Sequence, residues 1–139
     1  MEELNMAKAQ EVFDLLCRTL DNRGLRYDKI EEDLMIKSVV NGEDIPIHFY
    51  MRVNPRNELV SFISWLPFKV QEDKRLDMAL AICATNYGFA DGCFDYNIED
   101  GTIIFRLTSS YKDSMLSEAL IDYMFMLSAL TVDSYNDKY

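Results

Sequence analysis

Histidine occurs once in this chain of 139 residues, at His48, and cysteine three times, at Cys17, Cys83 and Cys93. Both shortages narrow the chemistry. Structural zinc favours close pairs such as Cys-x-x-Cys, and these cysteines stand far apart. Each sits among apolar residues, so all three are expected to be buried free thiols in a reducing cytoplasm. Acid–base catalysis needs paired titratable groups whose pKa values are pushed apart in a cleft. His48 instead lies in "IPIHFY", on a strand whose neighbours Ile47 and Phe49 point the other way, and reads as part of the sheet's more polar face. No G-x-S-x-G elbow, P-loop or G-x-G-x-x-G fingerprint occurs. The expectation is of no catalytic residue, no cofactor and no metal: a protein that is not an enzyme.

Positive charge is also scarce, with 14 basic residues against 24 acidic and a formal net charge of −10. Phosphate binding needs a clustered basic surface, and none is written here, so neither nucleic acid nor an anionic membrane is an expected partner. No apolar run reaches membrane-spanning length, and "MEELNMAKAQ" lacks the basic-then-apolar order of a secretion signal. A cytoplasmic location is expected. Repeats, low-complexity tracts and linkers are missing too, which makes residues 1–139 one expected domain.

What is present is an apolar content of 49% and an aromatic content of 12%, enough for a folded core. Residues 3 to 22 place Leu4, Ala9, Val12, Phe13, Leu16, Cys17 and Leu20 on one helical stripe, with Gly24 as the stop. Strands follow near 25–30, 34–40, 45–53 and 58–66, with Val40 set opposite Ile45 and Ile36 opposite Phe49, and Pro67 ends the run. Trp65 and Phe68 flank that proline. A peptide platform is one use for them, core packing at a strand end the favoured one. A second helix over 71–87 contains "MALAICA" and is expected to be buried on more than one side. A third begins near Ser114 or Ser117, of which Ser117 is the better N-cap, and runs toward Tyr135; Tyr135, Lys138 and Tyr139 close a tail expected to fray.

The stretch "CFDYNIEDGTIIFR", residues 93 to 106, has two readings. Asp95, Asn97 and Glu99 alternate as ligands do in a calcium loop. Such a loop needs glycine at its sixth position and a bidentate Glu at its twelfth, and counting from Asp95 these are Asp100 and Arg106. The hairpin reading fits instead. A two-residue type I′ turn at Asp100-Gly101 sets Ile98 opposite Ile103, Tyr96 opposite Phe105, Phe94 opposite Leu107 and Asp95 opposite Arg106.

The run from "WLPFKVQEDKR" through "LAICATNYGFADGCFDYNIEDGTIIFR" resembles the signature region of the YbjN-like family, bacterial proteins assigned to sensory transduction. The matching positions are Leu66-Pro67, Asn86-Tyr87-Gly88, Gly92, Phe94, Asp100-Gly101 and Phe105-Arg106. An earlier asparagine of the family's second helix is replaced here by Ile82-Cys83-Ala84. The resemblance implies a fold similar to class I type III secretion chaperones, small acidic dimers that bind unfolded segments. The expected class is α+β: a twisted antiparallel sheet of five to six strands flanked by three helices, in the order α-β-β-β(-β)-α-β-β-α.

The expected function is a protein-binding module, chaperone-like or a regulatory adaptor, for a protein or peptide client. The competing expectation is a small-molecule sensor or unrecognised enzyme with a pocket between sheet and helices. A homodimer is expected through the third helix. There Leu120, Met124, Leu127, Ala129 and Leu130 make an inward stripe, which leaves Ile121, Tyr123, Phe125, Met126 and Val132 for an interface.

Overall fold

The computed structural model describes residues 5–43 and 45–136. Helix α1 (Met6–Asn22) is opened by Asn5, whose side chain accepts from the Lys8 N–H. Its expected stripe is inward: Ala9, Val12, Phe13, Leu16, Cys17 and Leu20 are all buried, and Leu4 lies outside the described residues. Strands β1 (Tyr27–Ile30), β2 (Met35–Asn41), β3 (Pro46–Asn54) and β4 (Leu59–Trp65) follow as an antiparallel meander. Then come α2 (Arg75–Tyr87), β5 (Cys93–Asn97), β6 (Thr102–Ser110) and α3 (Glu118–Asn136). The six strands form one sheet in the order β1-β2-β3-β4-β6-β5. The α+β class and element order agree with expectation.

Alternation sends one set of strand side chains to a face covered by α1 and α3, and the other set to a face that no helix among the described residues covers. On the covered face Phe49 and Phe62 stack at 4.8 Å, and Phe125 of α3 sits edge-on to both, at 5.5 and 6.0 Å. Arg23, at the end of α1, pairs with Asp122 of α3 and lies 4.8 Å from the Phe125 ring. Near the sheet's β5 end, Phe89, Phe94, Phe105 and Tyr135 form a second aromatic cluster. Tyr135 is therefore packed rather than part of a frayed tail; Lys138 and Tyr139 lie outside the described residues.

The stretch 93–106 is a hairpin, two residues out of the expected register. Phe94 pairs with Phe105, Tyr96 with Ile103 and Asn97 with Thr102. The loop takes four residues because side chains supply its acceptors. Asn97 accepts from the Glu99 N–H, and Asp100 accepts from both the N–H and the hydroxyl of Thr102, which hold its carboxyl below the usual range. Gly101 has φ +79, whereas Asp100 is not left-handed, so the turn is not type I′. Ile98 leaves the sheet and is exposed. A two-residue slip conserves the face, so Phe94, Ile103, Phe105 and Leu107 stay buried, and Asp95 still reaches Arg106. The β2–β3 hairpin slips by the same amount, with Val40 opposite Ile47 and Ile36 opposite Met51.

Helix α2 is the largest departure. Ile82 is its one buried residue, while Leu76 and Leu80 are 68% and 66% exposed and Tyr87 is 95% exposed. The helix lies alongside edge strand β5 instead of across the sheet, so one side of it meets the core. Two contacts hold it there. The Arg75 Nη1 donates to the Glu99 carbonyl and its Nε to the Val70 carbonyl, at 2.6 and 3.1 Å. At the other end, Asn86 donates from Nδ2 to the Phe94 carbonyl at 2.8 Å and accepts the Phe94 N–H at Oδ1 at 2.7 Å. The amide thus stands where a seventh strand would pair, and closes that edge locally. Gly88 is right-handed, so the helix does not end on an αL cap.

Candidate protein-binding surfaces

Two apolar surfaces stand out that the other described residues leave uncovered. The first is the outward side of α2. Leu76, Leu80, Cys83, Ala84 and Tyr87 recur at spacings of four, three, one and three, which is one helical face, and all five are exposed. Burial of Cys83 was expected and does not occur. Cys17 is buried, which pushes its thiol pKa up; half-buried Cys93 is likewise raised, first by burial and then by Asp95.

The second surface is the uncovered face of the sheet. A groove of about 550 Å³ runs between Tyr50, Ile63, Trp65, Pro67, Phe68 and Ile104. Trp65 ends β4 pointing away from the helices, is 40% exposed, and stacks on His48 with ring centroids 5.8 Å apart. Its ring is exposed and is not the core residue it was expected to be; Phe68 is half-buried against the core beside it. His48 lies on the uncovered face, as its alternation with Ile47 and Phe49 requires. Next to the groove, and sharing Tyr50 and Ile63 with it, a depression of about 310 Å³ is bordered by Arg52, Ser61, Arg106 and Thr108. The interval between sheet and helices, where a small-molecule pocket was considered, holds the packed rings of Phe49, Phe62 and Phe125.

The third helix is disposed differently from expectation. Ser117 caps it, accepting from the Leu120 N–H. Its inward stripe is Ile121, Met124, Phe125, Ser128 and Val132, each 3% exposed or less. Ile121, Phe125 and Val132, read as interface residues, therefore belong to this chain's own core. The inward direction turns by roughly one residue because α3 shares the sheet face with α1 and must seat Phe125 between Phe49 and Arg23. Tyr123 and Met126 do stay exposed, and Leu130 joins them on the outer side. Tyr123 donates its hydroxyl to Asp91, which raises its pKa.

The signature positions have structural work that the sequence reading could not assign. Pro67 lines the groove. A Cβ on Gly92, at φ +76, would lie 2.7 Å from the Phe105 ring, and one on Gly101 would lie 2.3 Å from the Val70 carbonyl oxygen. The spacing of Asn86 before an edge strand was the one signal for its bridge to Phe94, and that signal has meaning once α2 is known to lie beside β5. Among the described residues no group of three or more His, Cys, Asp or Glu is placed to hold a metal ion, and no helix is long and apolar enough to cross a membrane.

No protein-family model matches this sequence, and no curated protein matches it. Its fold is similar to solved structures. These include the ExsC–ExsE complex, at 12% identity and TM-score 0.67 over 93% of each chain. YbjN from E. coli, a proposed transcription regulator, matches at 11% identity and TM-score 0.64 over 88% of this chain and 86% of that one. The HopA1–SchA chaperone–effector complex matches at 13% identity and TM-score 0.64 over 99% of this chain and 100% of that one. At such identities the likeness is one of fold. It bears out the fold expected from the Leu66-Pro67, Asn86-Tyr87-Gly88 and Asp100-Gly101 resemblance.

Proposed function

We propose that residues 1–139 act as one non-enzymatic, chaperone-like protein-binding module in the cytoplasm, and that the module is a homodimer. The observation that carries this reading is the pair of uncovered apolar surfaces. A folded chain that buries Phe49, Phe62 and Phe125 completely, yet leaves five residues of one helical stripe and a tryptophan groove in water, keeps those surfaces for something else. Aromatic and aliphatic side chains of this kind form interface centres. The exposed stripe of α2 offers one apolar patch that two copies can share about a two-fold axis, so the dimer contact is moved from α3 to α2. The groove on the uncovered face then remains for a client segment. Two structures of similar fold are complexes with a second protein, one of them a chaperone–effector complex. The free thiols suit a reducing compartment.

Light scattering tests the dimer. The parent is expected to have twice the chain mass at micromolar concentration, and a Leu76→Ser, Leu80→Ser variant to stay folded with the mass of one chain. A monomeric parent defeats the dimer. A dimeric parent whose mass the double variant leaves unchanged removes the contact from α2.

A further inference from the structure

We propose that the depression bordered by Arg52 and Arg106 on the uncovered face is an acid-recognition site, which takes an aspartate or glutamate side chain of a bound protein segment. This rests on the reading of that face as the client surface.

The uncovered face differs in charge from the rest of the molecule. Alternation and strand pairing place Lys37, Arg52 and Arg106 on it, against Asp28 and Asp95, in a chain of net charge −10. Arg52 makes no ion pair among the described residues. Arg106 meets Asp95 through Nη2. A guanidinium carries five N–H donors in a planar fork, so its other edge is still able to meet a second carboxylate.

The register fixes how these groups converge. Arg52 is opposite Ser61, and Ser61 is opposite Thr108; Tyr50 is opposite Ile63, and Ile63 is opposite Arg106. The arginines therefore stand diagonally across β4, two strand spacings apart and two residues out of line, about 12 Å between Cα atoms for spacings of ~4.8 Å and rises of ~3.3 Å. Both arginines border the one depression with Ser61 and Thr108, Arg106 with one guanidinium nitrogen held by Asp95 on β5. Two guanidinium groups and the hydroxyls of Ser61 and Thr108 offer a converging set of donors, which suits a carboxylate.

The adjoining groove says what else the ligand carries. It shares Tyr50 and Ile63 with the charged depression and ends at Trp65 and Ile104. Thr108 to Ile104 is four residues along β6, about 13 Å. The segment recognised has an acidic residue and a bulky apolar one separated by about that distance. An exposed ion pair alone is weak, so the apolar contact supplies most of the affinity and the arginines choose the partner. A polyanion is disfavoured, because the net charge of the whole chain repels it, whereas one carboxylate on an apolar segment meets the local cations.

The test uses random short peptides displayed on phage, selected on the full chain and on its Arg52→Gln and Lys37→Gln variants. Peptides recovered on the parent are expected to be enriched in Asp or Glu together with a bulky apolar residue. A synthetic peptide of that kind is expected to bind the parent about tenfold tighter than its Gln counterpart. Arg52→Gln is expected to erase that difference, and Lys37→Gln, on the same face but outside the depression, to leave it intact. Recovered peptides without acid preference, or a tenfold difference that survives Arg52→Gln, overturn the acid site and leave the binding-module reading standing. Recovery of no peptide on any form defeats both. Arg52-dependent stabilisation by inorganic phosphate, or Arg52-dependent binding of a single-stranded oligonucleotide, without acid-preferring peptides, assigns the arginines to a free anion or to nucleic acid and overturns the proposal.

Discussion

Helices α2 and α3 are written in nearly the same vocabulary and end in opposite surroundings. "MALAICA" in α2 has nothing polar, and "ALIDYMFMLSALTV" in α3 has one acidic residue, Asp122. Yet α3 buries five side chains almost completely, and α2 buries one. The difference lies in where each helix meets the sheet. α3 crosses the covered face, where Phe49 and Phe62 present a broad apolar floor. α2 lies beside β5, held by the Asn86 amide and the Arg75 guanidinium, so its second apolar side points outward. Apolar letters state that a helix has a face to cover; they do not state whether this chain or another one covers it.

The comparison is broken most directly at Phe125. Phe125→Ala is expected to cost roughly 3–5 kcal/mol in chemical denaturation, the usual range for a buried aromatic truncation. A loss under about 1 kcal/mol would mean that α3 is not the core helix. Gly101→Val comes next. It places a β-branched residue at φ +79 against the Val70 backbone, which leads into α2, and roughly 2–4 kcal/mol of destabilisation is expected in the same measurement. An unchanged midpoint sinks the close approach of these two segments.

Asn86→Leu tests how α2 is docked. Both Phe94 backbone groups lose their bonds to the Asn86 amide, for about 1–3 kcal/mol. Hydrogen exchange at the Phe94 amide is expected to quicken even where the global midpoint moves little. Exchange unaltered there contradicts the bridge. Ser128→Ala has a smaller effect of opposite sign. The Ser128 hydroxyl is buried without a hydrogen-bond partner among the described residues, so its removal is expected to be neutral or to raise stability by up to about 1 kcal/mol; a loss larger than that requires a partner for it. Leu80→Ser on α2 is expected to change the unfolding free energy of the separated chain by under about 0.5 kcal/mol. A larger loss, measured below the concentration at which chains associate, returns Leu80 to the core.

The sequence by itself determined the element order, the inward stripe of α1, the Ser117 cap and which face of each strand is apolar. These follow from local periods and caps, which neighbouring residues enforce without outside help. It also determined that 93–106 is a hairpin, because position six lacks glycine and position twelve is Arg106. Tertiary structure decided the rest. Register slipped by two residues in both hairpins, since a period of two makes such slips invisible to the apolar pattern, and at Asn97 and Asp100 side-chain acceptors fixed the loop length. The burial of Ile121, Phe125 and Val132, the exposure of Leu76, Leu80 and Cys83, and the placing of Arg52 and Arg106 around one depression depend on how elements far apart in sequence are placed together. A strand or helix carries its own pattern, but its partner is chosen by packing between distant segments, which no local stretch of the chain encodes.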